Sequence, residues 1–331
     1  MSNIVLTGDR PTGKLHLGHY VGSMQNRVAL QAKYDQCYYM IADLQALTDN
    51  ADQPDKVRDN VLEVALDNLA VGLDPKKTTF FIQSQIPQIS ELTIIFLNLV
   101  TLARARRNPT IKNEMQQKGY AENVPMGFLT YPISQAADIL FCNANIIPVG
   151  EDQLPIIEQD NEIVEKFNAL YGETFRKITP LLSTTTRLVG IDGQAKASKS
   201  LGNAIFLDDD ADVIQKKVMM MYTDPDHLKV TDPGKVEGNV VFDYLSIFDH
   251  NKTELDELKD HYRRGGLGDV IIKRRLIDIL EELIAPIRTR RRELAKDPEH
   301  VMKLLHEGSL NARAAAEVTM AKVRKAMRID Y

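Results

Sequence analysis

Thr7-Gly8-Asp9-Arg10-Pro11-Thr12-Gly13-Lys14-Leu15-His16-Leu17-Gly18-His19 is the stretch on which the reading of the fold turns. It follows a short β-like run, Asn3-Ile4-Val5-Leu6, and leads into a helix expected from about Gly18 to Tyr34. Strand, Gly/Pro loop and helix start suit a phosphate, because a first helical turn offers unpaired N–H groups and a partial positive charge. Gly18 puts no side chain in the way of a flat base or a phosphate. His16 and His19, three apart, lie on one side of that turn and can both donate to one anionic group. The plainer reading of the same residues is a polar helix start.

Outward from this loop, Gln36-Cys37-Tyr38-Tyr39-Met40-Ile41-Ala42-Asp43 is apolar without alternation, as a strand buried on both faces of a parallel sheet should be. Strand, helix and strand make the βαβ unit of an open nucleotide-binding α/β fold. A helix is expected over Val57–Val71, closed by Gly72, then a strand over Thr78–Gln83 and an apolar helix over Ile89–Leu102. From Ala103 to Gly127 the composition turns to Arg, Asn, Lys, Gln and Gly with little periodicity, which predicts an irregular, partly mobile insertion. Lys112 within it can reach a triphosphate or simply be solvated.

Tyr131 to about Cys142 reads as a helix with Pro132 at its first position. Tyr131, Gln135 and Asp138 then share one face. Asp138 lies among Ala, Ile, Leu and Phe, where a carboxylate without a partner is costly. Asn145–Val149 is the next strand, and it ends in Gly150-Glu151-Asp152-Gln153, beyond a strand's carboxyl end where α/β sheets bind ligands. Aspartate there accepts from ribose hydroxyls, or caps the following helix, Leu154–Phe167.

A β-prone stretch, Ile178–Thr186, precedes Lys196-Ala197-Ser198-Lys199-Ser200, which is flanked by Gly193 and Gly202. Two lysines among small residues predict a mobile lid whose ammonium groups swing towards phosphates. Beyond Phe206 the pattern is helical: Ala211–Tyr222, Phe242–His250, Lys252–Tyr262, Leu267–Ile284, Arg288–Leu294, Val301–Leu305 and Ala312–Met327. This reads as a separate helical domain.

The 331 residues, 26% charged and 44% hydrophobic, fit a soluble globular chain with a sizeable core. No run is apolar enough to span a bilayer, and the start is no secretory signal, so the cytoplasm is the expected compartment. Cys37 and Cys142 fit reduced core thiols, and no His/Cys spacing suits zinc. The net charge of −5 gives no global sign of nucleic-acid binding, which needs only a local basic surface. Arg104-Ala105-Arg106-Arg107 and Arg288-Thr289-Arg290-Arg291-Arg292 supply such surplus, or are solvated helix faces.

His16-Leu17-Gly18-His19 and Lys196-Ala197-Ser198-Lys199-Ser200 together resemble the HIGH and KMSKS signatures of class I aminoacyl-tRNA synthetases, in the right order and at a fitting separation. Tyr-Pro-x-x-x-Ala-Ala-Asp-Ile-Leu from Tyr131 and Pro-Val-Gly-Glu-Asp-Gln from Pro148 are similar to the bacterial tryptophanyl enzymes, whereas tyrosyl enzymes carry Gly-Ser-Asp-Gln at the second place. The likeness covers essentially the whole chain. It implies a Rossmann-like open parallel sheet with helices on both faces over residues 1–204, with a connecting insertion at about 49–127, and an all-helical anticodon-binding domain over 205–331. It implies catalysis by His16, His19, Lys196, Ser198 and Lys199. ATP contacts would come from Arg10, Thr12, Gly18, His19, Lys112, Gly150, Asp152, Lys196 and Lys199.

For the amino acid, the resemblance implies that Asp138 accepts the indole N–H while Tyr131, Gln135 and Gln153 line the rest of the pocket. L-tryptophan, ATP with Mg2+ carried by the nucleotide, and tRNA(Trp) are the implied partners of a homodimer, without a resident metal or a permanently bound cofactor. Arg10 stands where glutamine is usual, Gln135 where methionine is usual, and Ala197 where the signature has methionine, which suits a divergent second form of the enzyme. The competing readings are a tyrosyl-tRNA synthetase, a small-molecule nucleotidyltransferase sharing an HxGH and a lysine loop, and a non-catalytic synthetase paralogue. The long helical tail argues against the second, and the intact histidines and lysines against the third.

Overall fold

β1 (Ile4–Asp9) runs into the Gly/Pro loop, and the chain continues through α1 (Leu17–His19), a π-helical turn (Tyr20–Met24) and α2 (Gln25–Lys33). The computed structural model describes residues 2–120, 123–182, 188–199 and 201–331. β2 (Gln36–Ile41) is followed by α3 (Asp43–Leu47), α4 (Pro54–Val71), β3 (Thr78–Ile82) and α5 (Pro87–Leu97). Three further helices, α6 (Leu102–Arg107), α7 (Pro109–Gln117) and α8 (Met126–Leu140), lead to β4 (Ile146–Val149), α9 (Leu154–Tyr171) and β5 (Thr179–Leu182). The remaining helices are α10 (Ala211–Met219), α11 (Val240–Phe248), α12 (Lys252–Arg264), α13 (Asp269–Leu294) and α14 (Pro298–Met327).

Among the described residues the sheet has five parallel strands, in the order β3-β2-β1-β4-β5. β1 pairs with β2 from Ile4↔Gln36 to Asp9↔Ile41 and meets β4 at Val5↔Ile146. The winding direction reverses between β1 and β4, so the crevice of such a sheet opens at the carboxyl ends of these two strands. Successive residues of β1 face opposite layers. Leu6, with Met40, Phe81 and Ile147, enters the main core with α5, α8, α9 and α14. Val5 packs with Leu30 of α2, Cys37 and Ile146 on the other side. This is the expected Rossmann-like sheet with helices on both faces. Cys37 and Cys142 are buried free thiols.

β3 is an edge strand, and an edge leaves backbone groups that must be covered or solvated. α14 covers it: the Ile82 N–H donates to Ser309 Oγ at 3.1 Å. Gly308 sits so close that a Cβ there would lie 1.8 Å from the Phe80 carbonyl oxygen. Ala312, Ala316, Met320 and Val323 continue the contact into the core, and Arg324 pairs with Glu91 of α5 at 2.6 Å.

The division of the chain therefore differs from the boundary expected at 204/205. One compact unit comprises Met1–Gly13, Ser23–Thr184 and Asp297–Tyr331, and the other Lys14–Gly22 and Thr185–Lys296. α14 stays with the sheet because the edge strand requires a cover. The segment from Lys14 goes to the second unit because it forms backbone bonds with Ile205 and Leu207 there. The stretch 49–127 is not one insertion either: β3 within it pairs with β2 from Cys37↔Thr78 to Ile41↔Ile82, so it is part of the sheet.

Other differences are local. Ala103–Gly127 contains most of α6 and all of α7, with residues 121–122 outside the described set. Thr101 caps the first and Asn108, ahead of Pro109, the second. Helices this short make too few turns for periodicity to show. α8 begins at Met126, which puts Pro132 inside it rather than at its start. The pairs of helices expected around Arg288 and Ala312 are continuous in α13 and α14. Of Ile178–Thr186, Thr179–Leu182 forms β5, and residues 183–187 lie outside the described set.

Gly308→Ala should force α14 off the strand, with a loss of about 1–3 kcal/mol or more, as overpacking of a filled core does. Denaturant titration against an exposed control, Glu307→Ala, measures it. Equal stability of the two variants would show that α14 does not seal the edge.

Candidate active site

In the sheet unit, the functional side chains gather from the carboxyl ends of β2 and β3 and from α8. Gln45 comes from α3, immediately after β2, and Gln83 follows β3. Asp138 on α8 is 1% exposed, and both amides reach it: Gln83 Nε2 donates to Oδ1 at 2.6 Å and Gln45 Nε2 to Oδ2 at 3.1 Å. Gln45 also bonds Ser134 of α8, and Gln83 Oε1 accepts from the Gln45 backbone N–H at 3.1 Å, which locks the two amides together. Burial pushes the Asp138 carboxyl up to about 7, against the two amide donors that favour its charged form. This is a buried acceptor with lone pairs left over, a suitable partner for a donor-only N–H.

Tyr131 and Gln135, on the same α8 face, are half-buried. Near β4, Gly150 and Asp152 are exposed and Gln153 is half-buried, with Gln153 Nε2 3.3 Å from Asp152 Oδ2. Thr110 Oγ1 of α7 donates to the Asp152 carbonyl at 2.8 Å, and Lys112, two residues on and so on another face of α7, is exposed. Arg10 extends from the end of β1 to Asp49 at 2.7 Å, where Lys118 also pairs at 3.1 Å. Thr12 is half-buried in the same loop, its N–H bonded to the Arg10 carbonyl at 2.8 Å.

The two signature motifs meet in the other unit. Leu17 N–H donates to the Ile205 carbonyl at 2.9 Å and Leu207 N–H to the Leu15 carbonyl at 3.2 Å, with an antiparallel bridge between His16 and Phe206. The first motif is thus stitched to the strand-like residues just after the second. A Cβ on Gly18 would lie 3.8 Å from Ala197 Cβ and only 2.9 Å from His16 Cε1. Glycine is needed here to admit the His16 ring, a reason for Gly18 that differs from the open backbone expected.

His16 caps α1: its Nδ1 accepts from the Gly18 N–H at 3.1 Å, while its own N–H points to His19 Nδ1 at 3.3 Å. With both Nδ1 atoms accepting, Nε2 is the protonated nitrogen in the neutral form of each ring. His16 is 4% exposed, and its pKa falls to about 3, first through burial and then through the charges of His19, Lys199, Lys196 and Lys217. It is therefore a neutral N–H donor, with Nε2 as the nitrogen not used by the cap.

The lysine loop is built, not loose, in this conformation. Ala197 N–H donates to the Leu188 carbonyl at 3.1 Å, and Ser198 N–H to Asn203 Oδ1 at 2.8 Å. Buried Asn203 in turn donates to both Asp192 oxygens at 3.1 Å. Gly193 and Gly202 make the left-handed turns at either end, at φ +71° and +66°. Ser200 lies outside the described residues.

Comparison with known proteins follows the same lines. The model for class I tRNA synthetases (W and Y) matches residues 2–285. The chain belongs to this family. It is 56% identical to a tryptophan–tRNA ligase of Clostridium longisporum over 99% of this chain and 97% of that one. It is 55% identical to one of Streptococcus pyogenes, over 99% and 98%. The Campylobacter jejuni tryptophanyl-tRNA synthetase, solved with ADP and tryptophan, is 30% identical and superposes with a TM-score of 0.86 over 98% of this chain and 99% of that one.

For this class I synthetase, the sequence reading missed Gln45, Gln83 and Asp160. The two glutamines carry no motif of their own, and only the register of β2 and β3 brings them to Asp138. Asp160, on α9, is fully buried with neither carboxyl oxygen hydrogen-bonded. Burial first, and the Asp138 charge second, push its carboxyl well above the usual range, so it keeps its proton. Its place in a helix otherwise buried by Ile156, Ile163 and Val164 was the available signal.

The folded chain holds on to an Asp138 proton that the unfolded chain, with the ordinary value of 3.8, has already released. This group therefore costs stability as pH rises from about 4 to about 7, and no further above that. Asp138→Asn removes the titration, so its stability relative to wild type should climb by about 2–4 kcal/mol across that window. Denaturant melts at pH 4, 6 and 8 check this, and a pH-independent difference would mean an ordinary carboxylate.

Proposed function

We propose that the protein activates L-tryptophan with Mg-ATP to tryptophanyl-adenylate and pyrophosphate, then transfers the tryptophan to the 3′ end of tRNA(Trp). The observation that carries this reading is Asp138, buried and held by Gln45 and Gln83. Indole nitrogen is a donor only, so a buried acceptor rejects rings that lack that donor, because they leave it unpaired. Tyrosine offers a hydroxyl, and a polar acceptor alone does not exclude it. The choice of tryptophan is supported by the kinship with tryptophan–tRNA ligases at 55–56% identity over nearly the whole chain.

Each remaining side chain has a role in this chemistry. Tyr131, Gln135 and Gln153 hold the amino-acid part of tryptophan. Asp152 accepts from the ATP ribose next to Gly150, Lys112 and Thr12 meet the nucleotide, and Arg10 can exchange Asp49 for a phosphate oxygen. Gly18 backs the nucleotide. His16 donates Nε2–H to a phosphate oxygen without carrying charge into the ground state, His19 donates beside it, and Lys196 and Lys199, helped by the Ser198 hydroxyl, neutralise the departing pyrophosphate. The tryptophan carboxylate attacks the α-phosphorus in line, the α–β bridging bond breaks, and pyrophosphate leaves with Mg2+. No side chain becomes covalent, so positioning and fixed positive charge do the work. The helices after Phe206 read the tRNA anticodon, and the enzyme works as a cytoplasmic homodimer.

Amino-acid-dependent ATP–pyrophosphate exchange tests the reading. Exchange should require tryptophan, with tyrosine inert. Exchange with tyrosine alone, without any amino acid, or with none of these would favour in turn the tyrosyl enzyme, a nucleotidyltransferase or a non-catalytic paralogue. Lys199→Ala should lower the rate of exchange by about 10²–10³-fold with tryptophan affinity nearly intact. A large loss of affinity would contradict the role given to Lys199.

A further inference from the structure

α7 sets Glu114 against α8 so that the Tyr131 hydroxyl donates to Glu114 Oε2 at 3.0 Å. A phenol has one proton to give and lone pairs on the same oxygen. With its proton committed to a carboxylate, the Tyr131 oxygen can only accept, and the neighbouring negative charge enriches it. Such an oxygen suits a cation and repels an anion. Tyr131 keeps its proton, since burial and then the Glu114 charge push its hydroxyl above the usual tyrosine range.

Tyr131 and Asp138 stand two turns apart on one stripe of α8, roughly 10 Å along its axis. The stripe thus presents two acceptors, one at each end. L-tryptophan carries two donors, the ring N–H and the α-ammonium, also at opposite ends. Among the described residues, Arg10, Asp49 and Lys118 act on Glu114, and both cations turn to Asp49, at 2.7 and 3.1 Å. The carboxylate that engages the Tyr131 hydroxyl is Glu114. Resting on the tryptophan reading, we propose that Glu114 is a positioning residue: by holding the Tyr131 proton, it fixes the Tyr131 oxygen as the acceptor for the substrate's α-ammonium group. Glu114 acts through Tyr131 and need not touch the amino acid.

The test compares L-tryptophan with indole-3-propionate, the same molecule without its ammonium group, on the full-length protein. The chain contains no tryptophan, so the ligand's own fluorescence reports binding. Wild type should prefer tryptophan. Glu114→Gln, of the same shape but uncharged, should weaken tryptophan about 10-fold or more and leave indole-3-propionate unchanged, the size expected for a charge-assisted bond. Tyr131→Phe should erase the same preference, and in exchange kinetics the Glu114→Gln loss should fall on KM for tryptophan, not on KM for ATP. Equal loss of both ligands, or loss of neither, overturns the inference. A wild-type protein that binds neither ligand overturns the tryptophan reading with it, so the unmodified control separates the two failures.

Discussion

A carboxylate 1% exposed in the last turn of an apolar helix is the constraint that the sheet unit has to meet. Asp138 cannot be left without partners, and the fold answers with two amides that follow the carboxyl ends of two neighbouring parallel strands. Those amides are in place only if β2 and β3 hold their register, and β3 holds as an edge strand because α14 seals it. The proposed recognition of a ring N–H thus depends on a helix whose sealing contact lies 227 residues beyond the strand. Asp160 of α9, fully buried, feels the Asp138 charge and keeps its own proton.

The second unit solves a different problem, the gathering of positive charge around a buried imidazole. His16 lies among Lys196, Lys199, Lys217 and His19, and burial together with these charges keeps it neutral. A neutral imidazole still donates one N–H, so phosphate oxygens can be met by His16 while the lysines carry the charge. Lys217 is occupied by Asp209 at 2.5 Å and by the Ala204 carbonyl, so its role is to hold the turn after the lysine loop. The stitching of Leu15 and Leu17 to Ile205 and Leu207 makes this assembly a property of the backbone, with the side chains carried on it.

The βαβ start, the parallel sheet and the pairing of the two distant motifs were all legible in the sequence, because they rest on apolar runs, glycines and residue types with few uses. Asp138 was legible as a buried charge that must have a partner, but the partners were not. Gln45 and Gln83 are ordinary polar residues until two strands align. The position of α14 could not be read either, since an amphipathic helix fits a helical domain as well as a sheet edge, and only Gly308 hints at a close backbone contact. Short capped helices such as α6 and α7 hid in a polar stretch for want of length. The use of His16 Nδ1 as a helix cap, with Nε2 not used by it, is a matter of geometry that spacing does not encode.

The central claim is that Asp138 reads the ring N–H, and an analogue that changes this atom alone tests it most directly. In 3-benzothienylalanine a sulfur replaces the N–H with little change of shape. Its affinity should fall at least about 100-fold below that of L-tryptophan, since the buried carboxylate would lose its donor. Equal binding of the two would contradict the account.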